Sequence, residues 1–106
     1  MTIAKTPQPP YYAVIFTSLR TEIDKVYGAM SDKMDELVTK QKRFLGFESA
    51  REVLGITVSY WQSLEDIKEW KNNSQHLVAQ ELGKTQWYKA FKTRICKVER
   101  DYEFNK

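Results

Sequence analysis

The stretch YYAVIFTSLR at residues 11–20 is followed by EIDKVYGAMSDKMDELVTKQK at residues 22–42, and the change of pattern between them decides the fold. Residues 11–20 are rich in aromatic and β-branched side chains on both parities, which predicts a central strand covered on both faces. Residues 22–42 repeat apolar side chains at steps of three and four, which predicts a long amphipathic helix capped by Thr21 or Asp24. The domain therefore begins with a strand and a helix.

A β-hairpin is predicted next, with its connection around Gly55. Residues 47–52 and 56–62 have the composition of two short strands separated by a turn. In the second strand, one face is apolar and the other is half polar: Ile56, Val58 and Tyr60 against Thr57, Ser59 and Trp61. The half-polar face needs a surrounding other than water or core, so we expect a cavity or a partner sheet there.

Helical segments and a last strand complete the chain. Ser63, with Asp66 three residues later, has the pattern of a helix start. Ser74 offers a cap for a further helical stretch, which Gly83 is expected to loosen or end. Residues 87–102 then predict a long closing strand. The order of elements is β-α-β-β-α-β.

This order predicts an α+β, ferredoxin-like fold, with a four-stranded antiparallel sheet and its helices on one face. The other face of the sheet would remain uncovered. Apolar side chains on both parities of residues 11–20 make that exposure costly, at roughly 25 cal/mol per Å² of apolar area. A second copy of the chain is the expected cover, so we predict a homodimer.

The chain of 106 residues is long enough for one core and too short for two. We assign residues 1–10, with three prolines, to a disordered lead-in and residues 11–106 to a single domain. No apolar run approaches the length of a membrane span, which predicts a soluble protein with no membrane partner. Cys96 is the only cysteine, so no internal disulfide can form, as suits a reducing cytoplasmic location.

The charge pattern argues against a nucleic-acid partner. Lysine and arginine number 17 against 14 aspartate and glutamate residues, a net charge of +3, and the two signs alternate along most of the chain. A nucleic-acid footprint would gather basic residues on one face. We therefore expect no nucleic-acid partner.

Residues that carry recognisable chemistry are few. The sequence lacks the paired carboxylates of hydrolases, the ligand spacing of zinc sites and the glycine loops that hold phosphates. What remains is an aromatic segment from Tyr60 to Tyr88, which contains every tryptophan and His76, the only histidine. It predicts an aromatic-lined pocket; the alternative is that the tryptophans are core or interface residues. His76 is either an ordinary hydrogen-bonded residue or a group that titrates near neutral pH.

Several segments together resemble the antibiotic biosynthesis monooxygenase superfamily of small dimeric α+β barrels. They cover a tryptophan at the end of the third strand, a helix, a histidine soon after it and the last strand: VSYW at 58–61, SLEDIKEW at 63–70, SQHL at 74–77, WY at 87–88 and RICKVER at 94–100. With the order of elements, the resemblance spans about nine-tenths of the chain.

The resemblance implies a homodimer with one pocket per subunit, between sheet and helices. Some members oxidise polycyclic phenols or quinols with O₂ and without metal, flavin or other prosthetic group. Such a site must hold an electron-rich phenolate, stabilise its anion and exclude water. In this chain the resemblance assigns catalytic proton transfer to His76 and substrate binding to aromatic side chains, namely Tyr60, Trp61, Trp70 and Trp87.

Another branch of the superfamily binds and degrades haem, which makes haem the alternative cofactor. In that branch the helix tryptophan is followed ten residues later by the ligating histidine, and an asparagine lies on the first strand. Trp70 matches the tryptophan, but the tenth residue on is Gln80, and the first strand offers Thr17 and Ser18. A third group of members has no known chemistry, so a non-enzymatic binding module is a further alternative.

Overall fold

The computed structural model describes residues 2–106. One sheet, three helices and a π-helical segment make up the chain, in this order: β1 (Tyr11–Arg20), α1 (Tyr27–Thr39), β2 (Phe44–Arg51), β3 (Leu54–Trp61), α2 (Leu64–Lys71), α3 (Ser74–Leu82), the π-helical segment (Gly83–Trp87) and β4 (Tyr88–Val98). The strands lie in the order β2-β3-β1-β4, and each neighbouring pair is antiparallel. The predicted ferredoxin-like fold is confirmed.

The central position of β1 fits its apolar composition. On one side Val14 is paired with Ser59 of β3, and on the other side it is paired with Ile95 of β4. Side chains alternate between the two faces of a strand, so these three residues share one face. That face meets the helices, where Tyr12 and Val14 pack against the core residues Val38, Trp61 and Ile67.

Helix α1 is shorter than the sequence pattern predicted, because it begins at Tyr27 and not near residue 22. The residue before it, Val26, has a left-handed conformation with φ 54°, and no side chain caps the helix. The two predicted caps have other partners: Asp24 accepts a hydrogen bond from Arg20 at 2.9 Å, and the Thr21 hydroxyl donates to the carbonyl of Gln86. Because Thr21 and Asp24 are bound within the loop between β1 and α1, neither of them caps the helix, and α1 begins only at Tyr27.

Helices α2 and α3 are separated by a short break. The Ser63 hydroxyl accepts the Asp66 N–H at 3.2 Å, as predicted for the start of α2. Helix α3 is capped by Asn73 and not by Ser74, since the Asn73 side-chain oxygen accepts the N–H groups of Gln75 and His76. Within residues 2–106, no helix is both long and apolar enough to cross a membrane.

Residues near both ends of the chain contact the face of the sheet opposite the helices, which we call the outer face. The Ala4 N–H donates to Glu48 at 2.9 Å, and the Tyr11 hydroxyl donates to Asp101 at 2.5 Å. Tyr11 and Ala13 are buried there. The disorder predicted for residues 1–10 stays a prediction, which hydrogen exchange of this segment would measure.

Candidate functional site

A cavity of about 440 Å³ lies between the helices and the sheet. Sheet residues form its floor, including Val14, Phe16 and the half-polar face of β3. The expectation of a cavity at that face is therefore met. Four of the five residues predicted for the site line it: Trp61, Trp70, His76 and Trp87.

One wall of the cavity is a stack of three rings. The planes of Trp61 and Trp70 are inclined by 30° with centroids 6.4 Å apart, and His76 lies on Trp70 at 4.5 Å and 15°. Trp61 is only 1% exposed, and its indole N–H donates to the Ser59 hydroxyl at 3.0 Å. Because the indole N–H is satisfied locally, this wall presents mainly ring carbon to the cavity.

His76 is held in one orientation by a backbone contact. Its Nδ1 lies 3.1 Å from the carbonyl oxygen of Trp70, which can only accept, so Nδ1 carries the proton. The Gln80 amide also lies 3.4 Å from Nδ1, but it donates to the Lys71 carbonyl at the shorter distance of 2.9 Å. The lone pair of the imidazole is therefore on Nε2.

Burial lowers the pKa of His76 below its ordinary value of 6.5, and the hydrogen bond to Trp70 opposes this effect more weakly. The imidazole is consequently neutral at neutral pH. A neutral imidazole with its lone pair on Nε2 is able to accept a proton from a bound phenol.

The opposite wall combines Tyr27, Trp87 and Tyr88. Trp87 is 3% exposed, and its ring lies perpendicular to that of Tyr27 at 5.3 Å. The hydroxyls of Tyr27 and Tyr88 are 3.5 Å apart, and burial raises the pKa of Tyr88. The sequence interpretation missed Tyr27, although its place on the apolar stripe of α1 was a usable signal that it faces the sheet.

Tyr60 does not line this cavity, in contrast to the sequence-based assignment. It follows Ser59 and precedes Trp61 on β3, so strand alternation turns it to the outer face. There its hydroxyl donates to Glu48 at 2.6 Å, and its ring meets the edge of Tyr11 at 5.9 Å. Adjacency in the aromatic segment suggested one site, but the period of the strand separates the two rings.

The donor set of the cavity does not match the haem branch of the superfamily. The position that holds the ligating histidine in that branch is Gln80, whose amide is bound to a backbone carbonyl. The imidazole of His76 is stacked against Trp70 and bound through Nδ1, which leaves Nε2 as its only atom with a free lone pair. A haem ligand would have to be His76 itself, placed four residues early on α3.

Several solved structures have the same fold as this chain. Rv0793 from Mycobacterium tuberculosis matches with a TM-score of 0.76 and 9% identity, over 88% of this chain and 99% of that chain. SnoaB, a cofactor-independent oxygenase from Streptomyces nogalater, matches with a TM-score of 0.74 and 6% identity, over 88% and 97%. A protein from Nitrosomonas europaea described as a "putative antibiotic biosynthesis monooxygenase" has a TM-score of 0.70 and 10% identity, over 89% and 94%.

These matches define the class of fold: the chain has the fold of the antibiotic biosynthesis monooxygenase superfamily, and the fold implied by the resemblance in its sequence is confirmed. No protein-family model matches the sequence. The uncharacterized protein YqjZ of Bacillus subtilis (strain 168) is 45% identical over 104 residues, which cover 96% of this chain and 91% of that protein. The chain belongs to the YqjZ family.

The state of His76 is directly measurable, because it is the only histidine. We expect its ring protons in NMR spectra to titrate with a pKa below 6.5, and those of a Trp70→Ala variant to titrate closer to 6.5 as the ring becomes hydrated. Because the pKa of His76 is lower in the folded chain than in the unfolded chain, the unfolded chain binds the proton at a higher pH. The contribution of His76 to the free energy of unfolding is therefore fully present above pH 6.5 and is lost as the pH falls from 6.5 through the folded pKa. A wild-type midpoint at or above 6.5 would contradict this account.

Proposed function

We propose that this protein is a cofactor-independent monooxygenase that oxidises an aromatic, quinol-like compound in the cavity beneath its helices. The observation that carries the proposal is the neutral imidazole of His76, fixed against Trp70 at the wall of an aromatic cavity. SnoaB, which has the same fold, is named as a cofactor-independent oxygenase.

The size and lining of the cavity suit a flat aromatic ligand. Small-molecule sites have volumes of roughly 300 to 1,000 Å³ and mostly apolar walls, and this one holds about 440 Å³. The alternative of a non-enzymatic module would be favoured if aromatic side chains filled the cavity. Trp61 packs instead into the core beside the cavity and leaves its volume open. Met30 and Met34 on α1 supply adaptable apolar contacts to a ring.

His76 supplies the proton acceptor that the reaction needs. The phenolic hydroxyl of the substrate transfers its proton to Nε2, and the resulting anion is rich enough in electrons to react with O₂. Burial assists this step, because a base with a lowered pKa is not already protonated at neutral pH.

The chemistry balances with O₂ as the only co-reactant. The anion passes electrons to O₂, and a carbon–oxygen bond forms to give a hydroperoxide. Cleavage of the O–O bond, with loss of the hydrogen from the same carbon, leaves one oxygen on the substrate as a carbonyl and releases the other as water. The substrate loses four electrons and O₂ gains four. The protein's part is to bind the ring, accept the first proton and keep bulk water out.

Oxygen consumption tests this proposal. With a panel of naphthohydroquinones and anthrones, we expect uptake by the wild type and a loss of about a hundredfold or more in kcat for His76→Ala, the size typical of a lost general base. The matched control is Gln75→Ala, since Gln75 is the exposed neighbour of His76 on α3. Uptake that is equal in both variants, or absent with every substrate, would overturn the proposal.

Haemin separates this proposal from the haem alternative. Because Gln80 occupies the position of the family's ligand, we expect added haemin to leave the Soret band unshifted. A shifted band that His76→Ala abolishes would instead establish His76 as an iron ligand and favour haem binding.

We also propose that the protein acts as a homodimer joined through the outer face. On β3, every second residue points to this face. Two of these residues are apolar side chains with large exposed fractions, 48% for Leu54 and 42% for Ile56. Neighbouring apolar side chains on one sheet face are costly to leave in water, at roughly 25 cal/mol per Å².

The dimer is tested by light scattering at micromolar concentration. We expect the wild type to have twice the chain mass, and Ile56→Lys to have the mass of one chain because it places a charge in the middle of the contact. Val53→Lys is the control, since Val53 is 85% exposed in the β2–β3 turn. A monomeric wild type would contradict the proposal, and circular dichroism would show that each variant is folded.

A further inference from the structure

A second chamber of about 370 Å³ adjoins the aromatic cavity. The two spaces share walls, including Phe16, Tyr27, Thr57 and Tyr88. They therefore meet between α1 and the sheet, and a ligand bound in the aromatic cavity can extend into the second chamber.

The second chamber has a different chemical lining. The first is walled mainly by tryptophan and methionine side chains. Asp35 of α1 borders both chambers, whereas Arg51 of β2 lines only the second. A ligand that fills both chambers would combine an apolar ring with a polar substituent.

Arg51 is an exposed arginine that brings a positive charge to the wall of the second chamber. Its guanidinium donates to the hydroxyl and the carbonyl of Ser18, a residue that is 2% exposed. Among residues 2–106, the ion pairs within 4.0 Å are formed by Arg20, Lys40 and Arg43, and none includes Arg51. A guanidinium has five N–H donors, so several remain for a ligand.

Gly55 makes room for this guanidinium. The glycine is buried on β3, and a Cβ at this position would collide with the guanidinium of Arg51. The absence of a side chain at Gly55 therefore leaves room for the Arg51 guanidinium to lie over β3 and to reach Ser18.

The positive charge extends to the junction of the two chambers. Arg51 and Arg20 both act on the Tyr88 hydroxyl, where their charges oppose the rise in pKa caused by burial. Asp35 faces the same space, but burial and the neighbouring Asp32 raise the pKa of its carboxyl, which disfavours its charged form. Arg51 has no such tendency to lose its charge, because guanidinium groups stay protonated.

We infer, building on the proposed function, that the second chamber is a subsite for a carboxylate carried by the aromatic ligand, and that Arg51 binds this carboxylate. The planar guanidinium matches a carboxylate through two parallel N–H···O bonds. Asp35 borders the same chamber, so any negative charge that it carries opposes the bound carboxylate. The substrate class is then an aromatic or quinol-like acid.

Calorimetric titration with naphthalene probes tests the inference. The probes are 1-naphthoate, 1-naphthaleneacetate and 4-(1-naphthyl)butanoate, each beside its neutral amide, so that the ring is constant and the reach of the charge varies. We expect at least one acid to bind about tenfold more tightly than its amide. Arg51→Gln should remove this preference and leave the affinity for the amide unchanged, while Arg51→Lys should retain part of it.

Two further variants change the subsite without removing the arginine. Gly55→Ala should displace the guanidinium and abolish the preference for the acid, although Arg51 is still present. Asp35→Asn should strengthen binding of the acid alone. Lys42→Gln removes one charge from an exposed position away from both chambers and should change nothing.

The outcomes distinguish this inference from the proposed function. Equal binding of every acid and its amide, or equal effects of Arg51→Gln and Lys42→Gln, would overturn the carboxylate subsite and leave the oxygenase proposal standing. If no naphthalene probe binds and no quinol consumes oxygen, both are overturned.

Discussion

The position of the core determines everything else in this molecule. Trp61, 1% exposed at the end of β3, packs with Val38 near the end of α1 and Ile67 in α2. This contact clamps the C-terminal part of α1 to one end of the sheet. Nearer its N-terminus, α1 borders open space at Tyr27 and Ser31, although the Tyr27 ring also packs against Trp87 at 5.3 Å. The aromatic cavity therefore lies directly beside the core and shares Trp61 and Ile67 with it.

The break between α2 and α3 serves the same site. Residues 70 and 76 are six positions apart, which in an unbroken helix places their side chains about 120° apart around the axis. Their rings could not then stack. The chain turns at Asn73, whose side chain caps α3 by accepting the His76 N–H at 3.2 Å. The turn returns the imidazole to the Trp70 ring and its carbonyl, so a helix cap is what produces an oriented base.

Sequence reasoning succeeded where a local pattern determines the structure. Alternating side chains and β-branched composition were sufficient to place β1 at residues 11–20, and the Ser63 cap fixed the start of α2. The start of α1 was wrong because Asp24 is used by Arg20, a contact that periodicity does not contain. Likewise Asn73 and Ser74 are both good caps by type, and only the path of the chain selects Asn73.

In the candidate site, too, some residues could be predicted from a local sequence pattern and others depend on tertiary structure. Trp61, Trp70, Trp87 and His76 could be grouped from sequence because large aromatic residues concentrate in one segment, whereas strand alternation removes Tyr60 from the group. Arg51 gave no signal, since its place at the wall of the second chamber is a property of three-dimensional surroundings.

The two chambers also explain why the packing under α1 is loose. Cavities cost stability, because the side chains around them lose contacts that a filled core would supply. A larger apolar residue at Ser31, which lines both chambers, would recover part of that energy. It would also close the junction through which a ring in one chamber extends a polar group into the other. The same open space thus lowers the stability of the fold and supplies the proposed binding site, so a better-packed α1 would be expected to stabilise the chain and to weaken binding of the proposed ligand.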